Sequence, residues 1–295
     1  MRQKIINSIF EKMSEDEKLF FLTADMGINL VEKIGESFPD RFLNVGIAEQ
    51  NLIGVSAGLV NTGYRPFAYT ISNFAIHRCL EQIRNDIVLH NYPVTILGTS
   101  TGYDNPPLGP THHIIDEWGV LKAIPQIDIY CPSTAAYADK LVERILEANR
   151  PAYVRIPKGE FSFPNSDEHL VKLQGEENEI LLVSYGAPSQ SCIEVQKIDP
   201  SVSVLIVNRL RPLDENVLVK ALSPHSRIYV VEDHFPNSGL YGSLCQFNSE
   251  NQCSARLISL APQNYEFSVG RSADYFHKHY GIDVAGIIKS IGSKK

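Results

Sequence analysis

Arg41-Phe-Leu-Asn-Val-Gly-Ile-Ala-Glu-Gln-Asn-Leu-Ile-Gly-Val-Ser-Ala-Gly-Leu-Val60 reads as a strand, a turn and a buried helix in direct succession. Residues 42–45 are a short apolar run of strand character, and Gly46 punctuates the turn. The run 49–60 is built from small and aliphatic residues, as a helix buried on most sides would be. A strand feeding a covering helix is the unit from which parallel sheets are assembled. Glu49 stands at the joint. A carboxyl group at the head of a buried helix is favoured by the helix dipole when ionised and by desolvation when neutral, which separates it from an ordinary surface acid. The plainer reading is a first-turn glutamate followed by the polar pair Gln50 and Asn51.

Outward from this unit the alternation recurs. Strands are expected at 19–24, 65–70, 94–98, 127–130 and 152–156, with helices at 73–90, 116–123 and 135–148 and a long Gly/Pro/Asn loop at 99–110. From 158 to 178 the chain turns polar and aperiodic, as a linker does. Beyond it, strands at 180–185, 202–208, 227–232 and 255–261 alternate with helices near 189–198 and 215–222. The pattern predicts an α/β protein of two doubly wound domains: a larger one over 1–165 with a mostly parallel sheet, and a smaller one over 179–295.

Apolar residues make up 43% of the 295-residue chain and charged ones 21%, the composition of a globular protein. A net charge of -7 argues against nucleic acid or an anionic membrane surface as partner. The five cysteines are odd in number, far apart and without a C-x-x-C pair, which fits reduced thiols better than disulfides or zinc. The N-terminus lacks the apolar core of a signal peptide and reads as an amphipathic helix, and no apolar run reaches the ~18 residues of a membrane span. A cytoplasmic protein is expected. Neither G-x-G-x-x-G, nor a Walker motif, nor G-x-S-x-G is present.

Val-Gly-Ile-Ala-Glu-Gln-Asn at 45–51 resembles the glutamate motif of thiamine diphosphate enzymes of the transketolase group. Further segments follow in the family's order: Ile-Ser-Asn-Phe-Ala-Ile-His-Arg at 71–78, Gly-Pro-Thr-His-His at 109–113, Tyr-Val-Arg-Ile-Pro-Lys-Gly at 153–159, and Val-Val-Glu-Asp-His at 230–234. The resemblance spans essentially the whole chain, as a pyrimidine-binding domain followed by a transketolase C-terminal domain. It implies that Glu49 bonds a ring nitrogen of the cofactor's pyrimidine so that the opposite amino group becomes a base, a task suited to a carboxyl in an apolar pocket. It further implies Phe74 as the stacking partner of the pyrimidine, His77 one helical turn on as a cofactor neighbour, and Met26 as an apolar contact after the first strand, with Asp25 capping that loop. His112 matches the active-site histidine that contacts substrate oxygens, and Arg155 a clamp for substrate phosphate or carboxylate. His113 falls where relatives often carry glutamine, and adjacent histidines without a third ligand make a poor metal site. His234 belongs to the C-terminal domain and is expected to be structural.

Full-length relatives hold the cofactor's diphosphate and its Mg²⁺ through a Gly-Asp-Gly motif in a preceding domain, and this chain contains no such motif. The resemblance therefore implies one subunit of a split transketolase-like enzyme, in which a second, N-terminal-type chain binds the diphosphate and Mg²⁺ and two copies of each make a dimer of heterodimers. The expected reaction is transfer of a two-carbon ketol unit between sugar phosphates. Ser100 and Leu108 occupy positions where sugar-using transketolases carry a histidine and an acid. That departure leaves open a deoxyxylulose-phosphate-synthase-like or other acyloin-forming enzyme acting on a 2-oxo acid, the beta subunit of a 2-oxo acid dehydrogenase, or a non-catalytic partner.

Overall fold

Ile5, Ile6, Ile9 and Met13 recur at helical spacing along the first helix, Arg2–Glu15, and that stripe is the face it buries. The computed structural model, which describes residues 1–158, 166–251 and 253–292, packs the stripe against a parallel sheet. Its strands are β1 (Leu19–Thr23), β2 (Phe42–Asn44), β3 (Arg65–Ile71), β4 (Thr95–Thr99), β5 (Asp128–Tyr130) and β6 (Ala152–Ile156). They lie in the order β5-β6-β4-β3-β1-β2, all parallel, with Phe21 paired to Phe67 and Leu97 to Val154.

Successive residues of each strand point to opposite faces, and both faces are apolar. Phe21, Tyr69, Leu97 and Val154 meet the first helix and the helix Ala135–Ala148. Leu22, Ala68, Ile96 and Tyr153 meet Leu52, Ile53 and Ala57 of the helix Glu49–Asn61. That double cover is why the strands read as continuous apolar runs.

A second sheet is formed by β7 (Leu170–Leu173), β8 (Ile180–Ser184), β9 (Ser203–Val207), then, after β10 (Arg209–Arg211), β11 (Arg227–Val231) and β12 (Arg256–Leu260). Its order is β12-β11-β8-β9-β7, parallel apart from β7. β10 leaves this sheet and pairs antiparallel with β5, giving the first sheet seven mostly parallel strands. The α/β class and the two sheets of unequal size agree with the sequence reading.

Three features depart from it. β7 lies inside the stretch read as linker, so the second sheet begins before residue 179; residues 159–165 of that stretch, including the expected domain end at 165, lie outside the described residues. The single helix expected at 73–90 is broken into Ser72–Ile76, Leu80–Gln82 and a wider-wound turn Ile83–Val88. The helices Leu240–Glu250, Ala273–His279 and Val284–Gly292 carried no expectation. The first of these is nucleated from a distance: the backbone N–H groups of Leu240 and Tyr241 donate to the Glu232 carboxylate at 2.8 and 3.0 Å. Burial pushes Glu232 up to about 8 despite those bonds.

The two halves meet along a buried polar seam. Arg155 Nε donates to Glu117 at 2.7 Å and its Nη2 to Asp233 at 3.1 Å, with no exposed surface on Arg155 or Glu117. Trp118 Nε1 donates to the Tyr185 hydroxyl, which donates in turn to Glu232. Gly102 has φ +57°, and a Cβ there would overlap Asp233 Oδ2, so only glycine lets the loop after β4 close on the seam. Cys79, Cys131 and Cys192 are buried, and all five thiols are free. Among the described residues no helix is long and apolar enough to cross a membrane.

Candidate active site

Because β1 to β6 are parallel, the loops that follow them open on one rim, the place where ligands bind on such sheets. Met26 follows β1, Glu49 follows β2, Phe74 and His77 follow β3, and His112 follows β4. Gly98 makes one of these approaches close. A Cβ there would overlap Ser72 Oγ, so its absence lets β4 lie directly against the helix that carries Phe74.

Glu49 is the first residue of its helix and only 3% exposed. Its Oε2 accepts from Arg78 Nη1 at 2.8 Å, while Oε1 has no hydrogen-bond partner among the described residues. The Arg78 guanidinium also lies 4.3 Å from the centre of the Phe74 ring, and Gln50 Nε2 donates to the Arg78 carbonyl. Phe74 is partly exposed and meets the His112 ring edge-on at 5.3 Å. Asn73 Nδ2 donates to the Thr111 carbonyl at 2.6 Å, and Thr111 Oγ1 lies 3.0 Å from His112 Nδ1, so the β3 and β4 loops are tied together at the histidine.

His77 Nε2 lies 3.1 Å from Asp116 Oδ1, and the Tyr265 hydroxyl from the C-terminal half donates to the other oxygen of Asp116. The hydrogen bond to Asp116 raises the His77 pKa above its ordinary value against the opposing effect of burial. Burial works to raise Asp116, but the hydrogen bonds from His77 and Tyr265 outweigh it and hold the carboxyl below its usual range. His113 faces the other way. It is buried against Tyr103 and Phe276 at ring separations of 5.1 and 4.6 Å, with Nε2 3.4 Å from the Pro106 carbonyl, and burial lowers its pKa. His234 is fully buried, with Nδ1 3.0 Å from the Phe235 carbonyl, Nε2 accepting from the Gly119 N–H, and a pKa pushed down to about 3 by burial.

The structure thus brings Glu49, Phe74, His77 and His112 to one continuous surface. Met26 lies on a neighbouring loop, where it lines a cavity of about 430 Å³ with Ile28 and Phe42. Arg155 does not join them. Its guanidinium is sealed in the seam between Glu117 and Asp233, so it cannot reach a substrate without dismantling the contact between the halves. The expectation of a substrate clamp at Arg155 is corrected accordingly. An exposed cation at the rim is Lys158, just after β6 and lining two cavities. A signal for it stood in the sequence: Pro157 ends the strand, so the residue after it is the first free to face the rim. Arg78 closes the 71–78 motif, and its part in holding Glu49 is visible only in the folded chain.

A partly exposed aromatic face beside a nearly buried carboxylate with one free oxygen suits a flat heterocycle carrying a ring nitrogen. Ile28 and Ile47, on the same rim, are 83% and 78% exposed. Among the described residues no group of three or more His, Cys, Asp or Glu side chains is placed to hold a metal ion.

Residues 1–163 match the model of the transketolase pyrimidine-binding domain, and residues 170–287 match that of the transketolase C-terminal domain. The chain is 28% identical to a protein of Phocaeicola vulgatus described as a subunit of apulose-4-phosphate transketolase, covering 98% of this chain and 95% of that one. It is also 28% identical to 1-deoxy-D-xylulose-5-phosphate synthase of Aquifex aeolicus, over 96% of this chain but 46% of the longer protein. A solved structure described as a split gene transketolase, inactive beta4 tetramer, superposes with a TM-score of 0.86 at 26% identity, covering 100% of this chain and 99% of that one.

Proposed function

From the premise that the chain belongs to the transketolase family, we propose that it is one subunit of a split, thiamine diphosphate-dependent enzyme transferring a two-carbon ketol unit between sugar phosphates. The observation that carries this reading is the pairing of nearly buried Glu49, one oxygen held by Arg78 and the other free, with the partly exposed ring of Phe74. When bound, the cofactor supplies a nucleophilic carbon and an electron sink for the two-carbon unit. Glu49 Oε1 holds the proton at the pyrimidine ring nitrogen while Arg78 keeps the carboxylate oriented and partly neutralised. Phe74 orients the ring by stacking, with Met26 as an apolar neighbour on the adjoining loop and His77 held by Asp116 beside it. His112, fixed by Thr111 and Phe74, hydrogen-bonds substrate oxygens, and Lys158 takes the substrate-anion role first expected of Arg155.

A partner chain holds the diphosphate and Mg²⁺ in this reading. Supporting it are the two exposed isoleucines beside the cofactor face and the similarity along nearly its whole length to a protein that is itself described as one subunit of a transketolase. The assembly is a dimer of heterodimers in the cytoplasm, where reduced thiols are the norm. Functionally the chain divides into a pyrimidine-binding part up to about residue 165 and a C-terminal part whose sheet starts at β7.

The test is reconstitution. This chain, its partner, Mg²⁺ and thiamine diphosphate together are expected to transfer a ketol unit from a ketose phosphate to an aldose phosphate, and this chain alone is not. Activity of the single chain, or inertness of the complex with every ketose donor, would overturn the proposal. A second reading, acyloin formation from a 2-oxo acid, is favoured by Ser100 and Leu108 in the loop before His112 and by the likeness to a deoxyxylulose phosphate synthase. Release of CO₂ from pyruvate by the same mixture would select it.

A further inference from the structure

We propose that Arg271, from the C-terminal half, joins Lys158 to form an anion site that holds the charged terminus of the acceptor sugar at the mouth of the active site. The proposal rests on the ketol-transfer reading and extends it to a region that reading leaves idle. Lys158 and Arg271 line one cavity of about 720 Å³, roomy enough for a sugar phosphate. One wall is the loop that leads into His112, and the other is the segment that precedes the helix Ala273–His279. The walls are fastened together: the Gly270 N–H donates to the Pro107 carbonyl at 3.0 Å, and Gly109 leaves room for Val269, whose Cγ1 would lie 2.7 Å from a Cβ there.

Both cationic heads are available. Neither Lys158 nor Arg271 makes a side-chain hydrogen bond or ion pair among the described residues; the Arg271 guanidinium lies 4.8 Å from the centre of the Tyr275 ring, with the Glu266 carboxylate within electrostatic reach but outside the cavity lining. Asp104 is the lining carboxylate, and its Oδ2 is occupied by the Lys158 backbone N–H at 2.7 Å. Burial pushes Asp104 up to about 6, and at neutrality it is still mostly ionised, so the two cations outnumber this carboxylate by one charge. A lining with that net positive charge favours an anion. The planar fork of arginine suits two oxygens of a phosphate group, and the lysine adds a point charge from the opposite wall.

The test uses the reconstituted complex with Arg271→Ala and Arg271→Lys, comparing an aldose phosphate with the same aldose unphosphorylated. Losing one charge-assisted contact is expected to raise KM for the phosphorylated acceptor about tenfold relative to the unphosphorylated one. Arg271→Lys recovers part of the difference. If both KM values move together, or neither moves, the site is refuted. Should the complex transfer no ketol unit, the ketol-transfer reading fails separately, and radiolabelled inorganic phosphate in equilibrium dialysis then decides this one. Phosphate bound by the wild-type complex and lost in Arg271→Ala supports the site; equal binding, or none, overturns it. Arg271 is exposed, so its removal leaves the fold intact.

Discussion

Arg155→Met removes the cation that lies between Glu117 and Asp233 and leaves both carboxyl groups buried without it. Methionine fills much of the space of the arginine stem, so the loss is mainly electrostatic. Removing one member of a buried ion pair costs about 3–5 kcal/mol, because the remaining charge keeps its desolvation penalty. At about 2–4 °C per kcal/mol for a chain of this size, the midpoint of thermal unfolding should fall by about 6–20 °C. The deficit should also depend on pH. Burial holds Glu117 above its ordinary pKa, and Arg155 opposes that, so the variant raises Glu117 further. A group whose folded pKa lies above its unfolded value contributes stability at low pH and loses it as pH rises through the folded value. The variant should therefore fall further behind wild type at about pH 8 than at about pH 5. Urea and thermal unfolding followed by circular dichroism at both pH values measure this. A variant that unfolds within about 2 °C of wild type at both, while its KM for substrate rises, would return Arg155 to the role of substrate clamp.

Glu49→Gln keeps the side chain's size and should assemble with the partner subunit, yet ketol transfer should drop about a hundredfold or more; near-normal turnover would remove Glu49 from the chemistry. Asp116→Asn should lower the His77 pKa toward its ordinary value, since the bond to Asp116 is the largest cause of its rise, and an NMR titration of the imidazole that is unchanged would contradict the assignment. Gly98→Ala drives a methyl group into Ser72 Oγ and should cost about 1–3 kcal/mol in denaturant unfolding; a neutral outcome would mean that β4 and the Phe74 helix can separate freely.

The strands of the first sheet were legible because both faces are covered, which makes each strand an uninterrupted apolar run between turn residues. β7 was hidden for the opposite reason: as an antiparallel edge strand it is only partly buried, and Leu-Val-Lys-Leu among polar residues carries too weak an alternation. β10 is three residues long and is defined by a partner about eighty positions away, which no local pattern reports. The break in the helix expected at 73–90 falls at His77 to Cys79, where Arg78 leaves the helical path to meet Glu49; periodicity continues smoothly across it. Glu49, Phe74 and His112 could be found because they sit in short motifs on the loops after parallel strands. Arg155 was misjudged because sequence distinguishes an arginine that faces the rim from one buried by a segment eighty residues later only through the partners, Glu117 and Asp233, that tertiary structure supplies.

The detour of β10 into the first sheet has a consequence for biosynthesis. A nascent chain can lay down β1 to β6 early, but the open side of β5 stays without its neighbour until residue 211 has emerged from the ribosome. An unpaired strand flank is a template for another chain, so this interval is when two growing copies are most exposed to each other. Clipping the polypeptide between the sheets would make that vulnerable interval permanent, and the N-terminal fragment is expected to precipitate instead of surviving as an independent module.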